Sequence, residues 1–344
     1  MNERVDRVRA VTADPLLVTK PVNIHYLTGL DSSNAALLVE PDRLRIFTDF
    51  RYLEKARATG IEVVEIPRSL FTQLPSLVPK RIAFEAEHLP YASWVTLDEA
   101  GIETVPTRQL LEGVRAVKEP GELDAIRRAA AITNETFERL AERLFVGHTE
   151  RDLVWWIEST MRELGAEGSA FPPIVAAGAN GALPHASPGD ARIEPGQMVV
   201  VDAAARVDGY NSDCTRTFST GDAPGELVRS YEVCLEAQLA GLQATRAGRT
   251  GRDVDAVSRG LIAAAGYGEL FAHGLGHGLG LEVHEQPAMR PESEDVLYVD
   301  GVVTVEPGIY HPGLGGIRIE DLVIISDGEP EILTSFTKEL QTVG

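Results

Sequence analysis

The heptapeptide GHTERDL at residues 147–153 recurs as GRTGRDV at residues 248–254, a shift of 101 residues. In both copies a threonine, Thr149 or Thr250, can cap the start of a helix. An aspartate three residues later supplies the other half of a variant capping box. The repeat therefore predicts two helices that begin in the same way.

Both copies lie in the same larger pattern. Each predicted helix ends at a glycine, Gly165 or Gly266, and these glycines are again 101 residues apart. Each helix is preceded by helical sequence, at 122–145 or 226–246, and is followed by strand-like sequence. We therefore expect a C-terminal domain of two similar halves related by a pseudo-twofold axis, with a site between them.

The sequence before this domain alternates short strands and helices from residue 15 to about residue 115. Residues 35–40 and 43–49 predict a hairpin about Pro41-Asp42, and Arg51–Thr59 predicts a helix that ends at Gly60. A break at 118–121 places the domain boundary near residue 117, which gives domains 1–117 and 118–344. The N-terminal α/β domain has no cluster of histidines or acids with ligand spacing, so we expect it to serve structure or oligomerisation.

Composition excludes several classes of protein. The 344 residues suggest two domains, and 44% hydrophobic with 24% charged residues is typical of a globular protein. A net charge of −20 disfavours nucleic acid as a partner. No apolar run is long enough for a membrane span, and residues 1–10 are charged and lack the apolar core of a secretory signal. With only two cysteines, Cys214 and Cys234, we expect a cytoplasmic protein without a disulfide framework.

Residues 273–285, HGLGHGLGLEVHE, contain three of the eight histidines and four glycines. Glycines weaken helices and strands, but they allow tight turns and close approach of the backbone to a ligand. The alternative is a flexible loop with solvated histidines. Carboxylates elsewhere in the chain favour a site.

Two predicted hairpins each carry a pair of these carboxylates. In the first, residues 198–203 and 210–218 flank a loop at 206–209, and this loop length places Asp202 opposite Asp213. In the second, residues 302–306 and 317–325 flank a loop with Pro312-Gly313, and Glu306 lies opposite Glu320. Like charges this close in a poorly solvated site need cations to neutralise them. Four carboxylates and one imidazole suit two divalent ions.

These residues resemble a known family. Asp202, Asp213, His277, Glu306 and Glu320 are similar to the five metal ligands of the Xaa-Pro peptidases, the prolidase and aminopeptidase P family. The motifs NIHYLTG at 23–29 and FTDFRY at 47–52 resemble the N-terminal domain of the prolidase and creatinase branch. The resemblance spans the whole chain. It implies an α/β domain of the creatinase/prolidase N-terminal type and an α+β pita-bread domain with an internal pseudo-twofold.

The resemblance also implies residue roles. Asp202 would bind one ion, His277 and Glu306 the other, and Asp213 and Glu320 would bridge them. His185 and His284 match two histidines that contact the scissile bond, and Glu306 would also transfer a proton. For substrate binding, the weaker correspondences are His273, Phe171 and Val283, which would line the proline pocket, and Arg318, which would either contact substrate or orient a metal carboxylate.

Two departures from the family pattern concern turns rather than ligands. Ala204 stands where the family commonly has glycine, and Asp300-Gly301 stands where a Gly-Met pair usually precedes the strand that leads to Glu306. They leave the geometry of these turns open.

The implied activity is hydrolysis of the Xaa-Pro bond of short proline-containing peptides with two divalent ions, Mn²⁺ ahead of Co²⁺ or Zn²⁺. We favour a dipeptidase, in which Arg318, or Arg43 or Arg45 of a partner subunit, would bind the substrate carboxylate. The alternatives are an aminopeptidase P acting on longer peptides, a creatinase-like C–N hydrolase and a non-catalytic pita-bread binding protein. The family likeness also favours a homodimer.

Overall fold

The computed structural model describes residues 3–344, so Met1 and Asn2 of the expected charged N-terminal segment lie outside the described residues. The chain divides into two compact units after Arg115. The first unit contains α1 (Glu3–Val11), β1 (Leu16–Val18), α2 (Pro21–Thr28), β2 (Ala35–Val39), β3 (Leu44–Thr48), α3 (Leu53–Ala58), β4 (Glu62–Glu65), β5 (Arg81–Glu85), α4 (Tyr91–Glu99), β6 (Glu103–Thr107) and α5 (Leu110–Arg115).

A six-stranded mixed sheet forms the centre of the first unit, in the order β4-β3-β2-β1-β5-β6. β2 and β3 form the hairpin predicted about Pro41-Asp42, with Val39 opposite Leu44. β2 is apolar on both faces, as expected for a strand covered on both sides, whereas β3 also carries Arg45 and Thr48. The hairpin also buries the ion pair between Glu40 and Arg45, and Glu40 accepts a further hydrogen bond from the exposed Arg43.

The second unit holds the remaining helices and strands. They are α6 (Pro120–Ala141), α7 (Glu150–Glu163), β7 (Gly168–Ser169), β8 (Ile174–Ala177), β9 (Met198–Asp202), β10 (Ala205–Val207), β11 (Tyr210–Asn211), β12 (Thr215–Ser219), α8 (Gly225–Ala244), α9 (Gly251–Ala264), β13 (Gly276–Gly278), β14 (Glu285–Met289), β15 (Val302–Val305), β16 (Gly308–His311), β17 (Gly315–Arg318), β18 (Asp321–Ile324) and β19 (Glu331–Ile332).

The predicted helix starts in the repeat are confirmed. Thr149 accepts a hydrogen bond from the Asp152 amide and completes a capping box, and Thr250 accepts one from the Asp253 amide. The helices α7 and α9 are 14 residues each, and Gly165 and Gly266 just beyond them have φ of 101° and 89°. Glycine adopts this left-handed conformation at the lowest cost.

Each half of the second unit builds its own β-sheet. In the first half, β8, β9 and β12 form one sheet, whose core contains the aromatic cluster of Phe137, Phe145, Phe218 and Phe336. In the second half, β13, β15 and β18 are central in a five-stranded sheet ordered β14-β13-β15-β18-β19. In the second sheet, Val303 and Val323 pack with α8 and α9, and Val302 and Leu322 pack with α6 on the other face. The acidic side chains lie at strand ends, since β9 ends at Asp202 and β15 ends just before Glu306.

The two predicted hairpins differ from the structure in continuity and in one register. The expected strand 210–218 is interrupted between β11 and β12, and the expected strand 317–325 is interrupted between β17 and β18. The first hairpin turns on only Asp208 and Gly209, both with positive φ, so Val207 pairs with Tyr210. The predicted four-residue loop was wrong, because a two-residue turn with two left-handed residues suits the twist of a hairpin.

Asp300 explains one departure from the family pattern. Its φ is 64°, a conformation that aspartate tolerates better than most residues. Aspartate can therefore stand at this turn in place of glycine.

No helix between residues 3 and 344 combines the length and apolar composition needed to cross a membrane.

Candidate metal centre

The first hairpin contributes two aspartates on one face. Asp202 ends β9 opposite Thr215, not opposite Asp213 as the predicted register had it. Asp213 lies two residues before Thr215, so its side chain is a diagonal neighbour of Asp202 on the same face. The correct register moves the partner by two residues, and a shift by an even number leaves a side chain on its original face. The two aspartates therefore still meet.

The second hairpin brings two glutamates together at a point where the ladder is broken. Val305 pairs with Asp321 on one side, and Gly308 pairs with Arg318 on the other, so Glu306 faces Glu320 as predicted. The two hairpins are joined here, since the Glu320 amide donates to the Thr215 carbonyl at 3.0 Å. The hydroxyl of Thr215 also donates to Oε2 of Glu320 at 2.8 Å.

His277 lies at the centre of β13. Its Nε2 is 3.2 Å from Oε1 of Glu306 and 3.9 Å from Oδ2 of Asp213. Its Nδ1 is 3.1 Å from the carbonyl oxygen of Gly278, which directs Nε2 towards the carboxylates. Donor atoms of Asp213, His277 and Glu320 all lie within 4.8 Å of one another, which is close enough to share one ion.

The glycines beside His277 allow close strand packing, whereas the sequence suggested that they allow close approach to a ligand. A Cβ on Gly276 would overlap the carbonyl of Thr304, and one on Gly278 would overlap that of Gln286. These glycines let β13 lie tightly between β14 and β15, rather than letting the backbone approach a ligand.

The electrostatics of the cluster are those of carboxylates crowded together away from water. Burial raises the pKa of Asp202, and burial with neighbouring carboxylates raises the pKa of Asp213 and Glu320 well above the usual range. Burial would also raise the pKa of Glu306, but its hydrogen bond to His277 brings it down to about 2. Burial would lower the pKa of His277, but Glu306 and then Asp213 raise it to about 9.

Arg318 is the cation next to this cluster. Its Nη2 donates to Oδ2 of Asp202 at 2.7 Å, its Nε to Thr215, and its Nη1 to Tyr310 and to the Pro184 carbonyl. The other oxygen of Asp202, Oδ1, is buried and has no hydrogen-bond partner among the described residues. A buried oxygen without a donor, within a set of carboxylates and one imidazole, fits a divalent cation.

The amino-acid sequence matches the model of metallopeptidase family M24 over residues 124–327 and that of the creatinase/prolidase N-terminal domain over residues 4–117. The chain belongs to metallopeptidase family M24. The expected fold, a creatinase-type N-terminal domain followed by a pita-bread domain, and the expected peptidase class are confirmed.

Three relatives match this M24 chain along its whole length. The Xaa-Pro dipeptidase of Pyrococcus furiosus is 33% identical over 350 residues, covering 99% of this chain and 100% of that protein. The solved structure of an Xaa-Pro dipeptidase from Bacillus anthracis has a TM-score of 0.94 and 37% identity and covers 98% of both chains. That of an X-Pro aminopeptidase from Thermotoga maritima has a TM-score of 0.88 and 34% identity, covering 99% of this chain and 100% of that one.

The two histidines expected at the scissile bond are both exposed, and His284 lies close to the cluster. The ring centroids of His277 and His284 are 4.3 Å apart. Partial desolvation and the charge of His277 lower the pKa of His284, and His185 contributes in the same direction. Both imidazoles therefore lie on the open side of the M24 site, where a substrate could reach them.

His273 is partly buried between Tyr310 and Phe271. Its Nε2 is 2.9 Å from the Tyr310 hydroxyl, its ring packs edge-on against Phe271, and burial lowers its pKa. Phe171 and Val283 are partly buried in the loops before β8 and β14. Within residues 3–344, no hydrogen bond or ring contact joins either of them to the carboxylates.

The arginines suggested for the substrate carboxylate are mostly committed elsewhere. Arg318 is 4% exposed and donates from all three guanidinium nitrogens. Arg45 is 9% exposed and donates to Glu40 and to the Leu77 carbonyl. Arg43 is half exposed and pairs with Glu40. Of the three, only Arg43 has an exposed guanidinium.

Sequence reasoning missed the hydroxyls that hold the acids. Thr215 donates to Glu320, and Thr304 donates to Glu306 at 3.2 Å and accepts from the His277 amide. A signal was present, because Thr215 and Thr304 lie two residues from Asp213 and Glu306. Residues two apart in a strand share a face.

The two cysteines are free and buried directly behind these hairpins. The Cys234 thiol donates to the Pro307 carbonyl at 3.1 Å, and Cys214 lies between Asp213 and Thr215. Burial raises the pKa of Cys234 to about 12 and that of Cys214 further. Neither buried thiol is therefore a nucleophile at neutral pH.

Proposed function

We propose that the chain is a metal-dependent exopeptidase that hydrolyses the Xaa-Pro bond of dipeptides. The observation that carries the proposal is the meeting of two acidic hairpins and His277 in a chain similar over its full length to two Xaa-Pro dipeptidases. The creatinase-like and non-catalytic alternatives would be expected to have lost ligands, and all five candidates are present.

The proposed metal site uses the residues named from the sequence. Asp202, Asp213, His277, Glu306 and Glu320 would hold two divalent ions, with Asp213 and Glu320 shared between them. When bound, such ions polarise a carbonyl group and lower the pKa of a water molecule, and we propose Mn²⁺ ahead of Co²⁺ or Zn²⁺.

The protein's own groups orient the substrate and move the proton. Glu306, whose Oε1 lies 3.2 Å from Nε2 of His277, would accept a proton from the attacking water and pass it to the leaving proline nitrogen. His185 and His284 lie on the open side of the site. They would donate hydrogen bonds to the scissile carbonyl as it becomes an oxyanion and would contact the substrate near the proline nitrogen. Arg318 holds Asp202 rather than substrate.

The test compares Ala-Pro with Ala-Pro-Ala in protein reconstituted with Mn²⁺ and in protein treated with chelator. We expect kcat/KM for the dipeptide to be the higher of the two, and all activity to be lost with chelator. Equal or faster turnover of the tripeptide would favour an aminopeptidase instead, for which the likeness to the Thermotoga maritima X-Pro aminopeptidase is the specific support. Full activity in protein free of metal would exclude both.

Assembly and location complete the proposal. We propose a cytoplasmic homodimer whose N-terminal domain serves oligomerisation. Free, buried Cys214 and Cys234 suit a reducing compartment. Sedimentation equilibrium should give twice the chain mass of 37.2 kDa. A single-chain mass at micromolar concentration would contradict the dimer without affecting the proposed chemistry.

A further inference from the structure

The loop at residues 183–188 carries His185 and is fixed at both ends. His185 is exposed, so packing does not hold its ring and the loop backbone has to set its position. On one side of His185, the Pro184 carbonyl accepts from Nη1 of Arg318 at 3.1 Å. On the other side, the Ser187 carbonyl accepts a hydrogen bond from the side-chain amide of Asn180 at 3.2 Å.

A buried carboxylate gathers the two stems of this loop. Glu150, the first residue of α7, is 4% exposed. Its Oε1 accepts from the Ala177 amide at 2.7 Å, and its Oε2 accepts from the Gly189 amide at 2.6 Å. The side-chain amide of Asn180 lies 3.0 and 2.8 Å from the two oxygens. One side chain thus joins the end of β8, the turn before the loop and the residue after it.

Helix capping does not explain this glutamate. In α7 the cap is formed by Thr149 and Asp152, and in α9 Thr250 forms it. The residue that corresponds to Glu150 in the second half is Gly251, yet α9 is as long as α7. A glutamate at this position is therefore not required to start the helix.

In the second half, main chain fills the space that corresponds to the Glu150 side chain. A Cβ on Gly251 would overlap the Ala288 carbonyl, so the main chain of β14 occupies the place that the Glu150 side chain has in the first half. There the Ala288 amide donates to Asp295 at 2.8 Å. The first half lacks a strand at this point, and the buried carboxylate of Glu150 replaces it as the hydrogen-bond acceptor.

We propose that Glu150 is a positioning residue for hydrolysis, which holds the 183–188 loop so that His185 can reach the scissile bond. This inference rests on the proposed function of His185. Because a displacement of about 1 Å can cost on the order of a hundredfold in rate, loosening the loop should lower kcat more than it changes KM.

The test uses Glu150→Gln with Asp152→Asn as matched control. Glu150→Gln places a side-chain NH₂ group against a backbone N–H, so one hydrogen bond to the loop stems is lost. Asp152→Asn removes an exposed carboxylate from the same helical turn and leaves the loop untouched. We expect Glu150→Gln to lower kcat roughly tenfold or more, with metal content unchanged, and to speed hydrogen exchange of residues 177–190 in metal-free protein. Asp152→Asn should lower Tm and leave kcat and that exchange unchanged.

Combination with His185→Ala separates positioning from general stability. If Glu150 acts through His185, Glu150→Gln should have no further effect on kcat/KM in the His185→Ala background. An equal loss in both backgrounds, or faster exchange with unchanged kcat, would overturn the proposal. A His185→Ala variant as active as wild type would instead show that the function assigned to His185 is wrong.

Asn180→Ala provides a second variant in case Glu150→Gln does not fold. Asn180 is only partly buried, and its loss removes the link between Glu150 and Ser187. The same dependence on His185 is expected with a smaller decrease in kcat. An effect of Asn180→Ala that is independent of His185 would also overturn the proposal.

Discussion

Replacing Arg216 by methionine should destabilise the C-terminal unit more than the same replacement of an exposed arginine does. Arg216 is 1% exposed and pairs with Asp321 at 2.8 Å. It also donates to the carbonyls of Thr215, Phe336 and Thr337, and thereby joins the first hairpin to the C-terminal segment. Methionine fills a similar volume but provides none of these donors.

The magnitude follows from what remains around Asp321. Removing one partner of a buried ion pair costs about 3–5 kcal/mol. Asp321 keeps hydrogen bonds from Gln238, Thr334 and Lys338, so we expect a value towards the lower end, about 3 kcal/mol. The matched control is Arg206→Met, which breaks an exposed pair with Glu167 and should cost less than about 1 kcal/mol.

The assay is urea unfolding of metal-free protein, followed by tryptophan fluorescence. In a Trp94→Phe background, the remaining tryptophans, Trp155 and Trp156, both lie in α7 and report on the C-terminal unit alone. Equal shifts for Arg216→Met and Arg206→Met would refute the reasoning, because the buried pair would then contribute no more than a surface pair.

The pH dependence gives an independent check on the same pair. Burial would raise the pKa of Asp321, but Arg216 and Lys338 bring it below its usual value. A carboxyl with a depressed folded-state pKa adds stability above its unfolded pKa of about 3.9 and loses it as pH falls through the folded value. The stability difference between wild type and Arg216→Met should therefore shrink below about pH 4. A difference that does not change with pH would mean that Arg216 acts by packing alone.

Three further predictions concern the site. Asp213→Ala or Glu320→Ala should lose both ions by elemental analysis, and retention of two ions would contradict their shared role. His185→Ala and His284→Ala should keep wild-type metal content while kcat/KM falls about a hundredfold; a stoichiometric loss of metal would make either histidine a ligand. Metal binding at pH 7 should release protons, because the pKa of about 9 leaves His277 protonated until it becomes a ligand. Calorimetry in buffers of different ionisation enthalpy measures this release, and a heat independent of buffer would contradict it.

Much of the fold could be predicted from the sequence where local chemistry decides the structure. Thr149 and Thr250 mark helix starts because a hydroxyl at that position satisfies a free amide, whatever the tertiary context. The N-terminal hairpin about Pro41-Asp42 was predicted for the same kind of reason. The meeting of Glu306 and Glu320 followed from counting across a turn.

The failures have two causes. The loop taken as 206–209 overlooked a local signal, because Asp208-Gly209 alone favours a two-residue turn, and this error set the wrong partner for Asp202. The other failures occurred where tertiary contacts decide. The glycines of β13 were interpreted as ligand contacts, because the strands on either side of them cannot be located from sequence. The burial of Arg45 likewise depends on the carbonyl of Leu77, 32 residues away.

The position of the two thiols gives the protein a built-in measure of local opening. Cys214 and Cys234 are buried against the hairpins that carry the acidic side chains, so an alkylating reagent reaches them only when the packing there opens. The alkylation rate would then report the free energy of that opening, which need not equal the free energy of global unfolding. A cation that binds only the closed form should slow alkylation in proportion to its occupancy. Loading of the site could thus be followed without substrate and without any measurement of turnover.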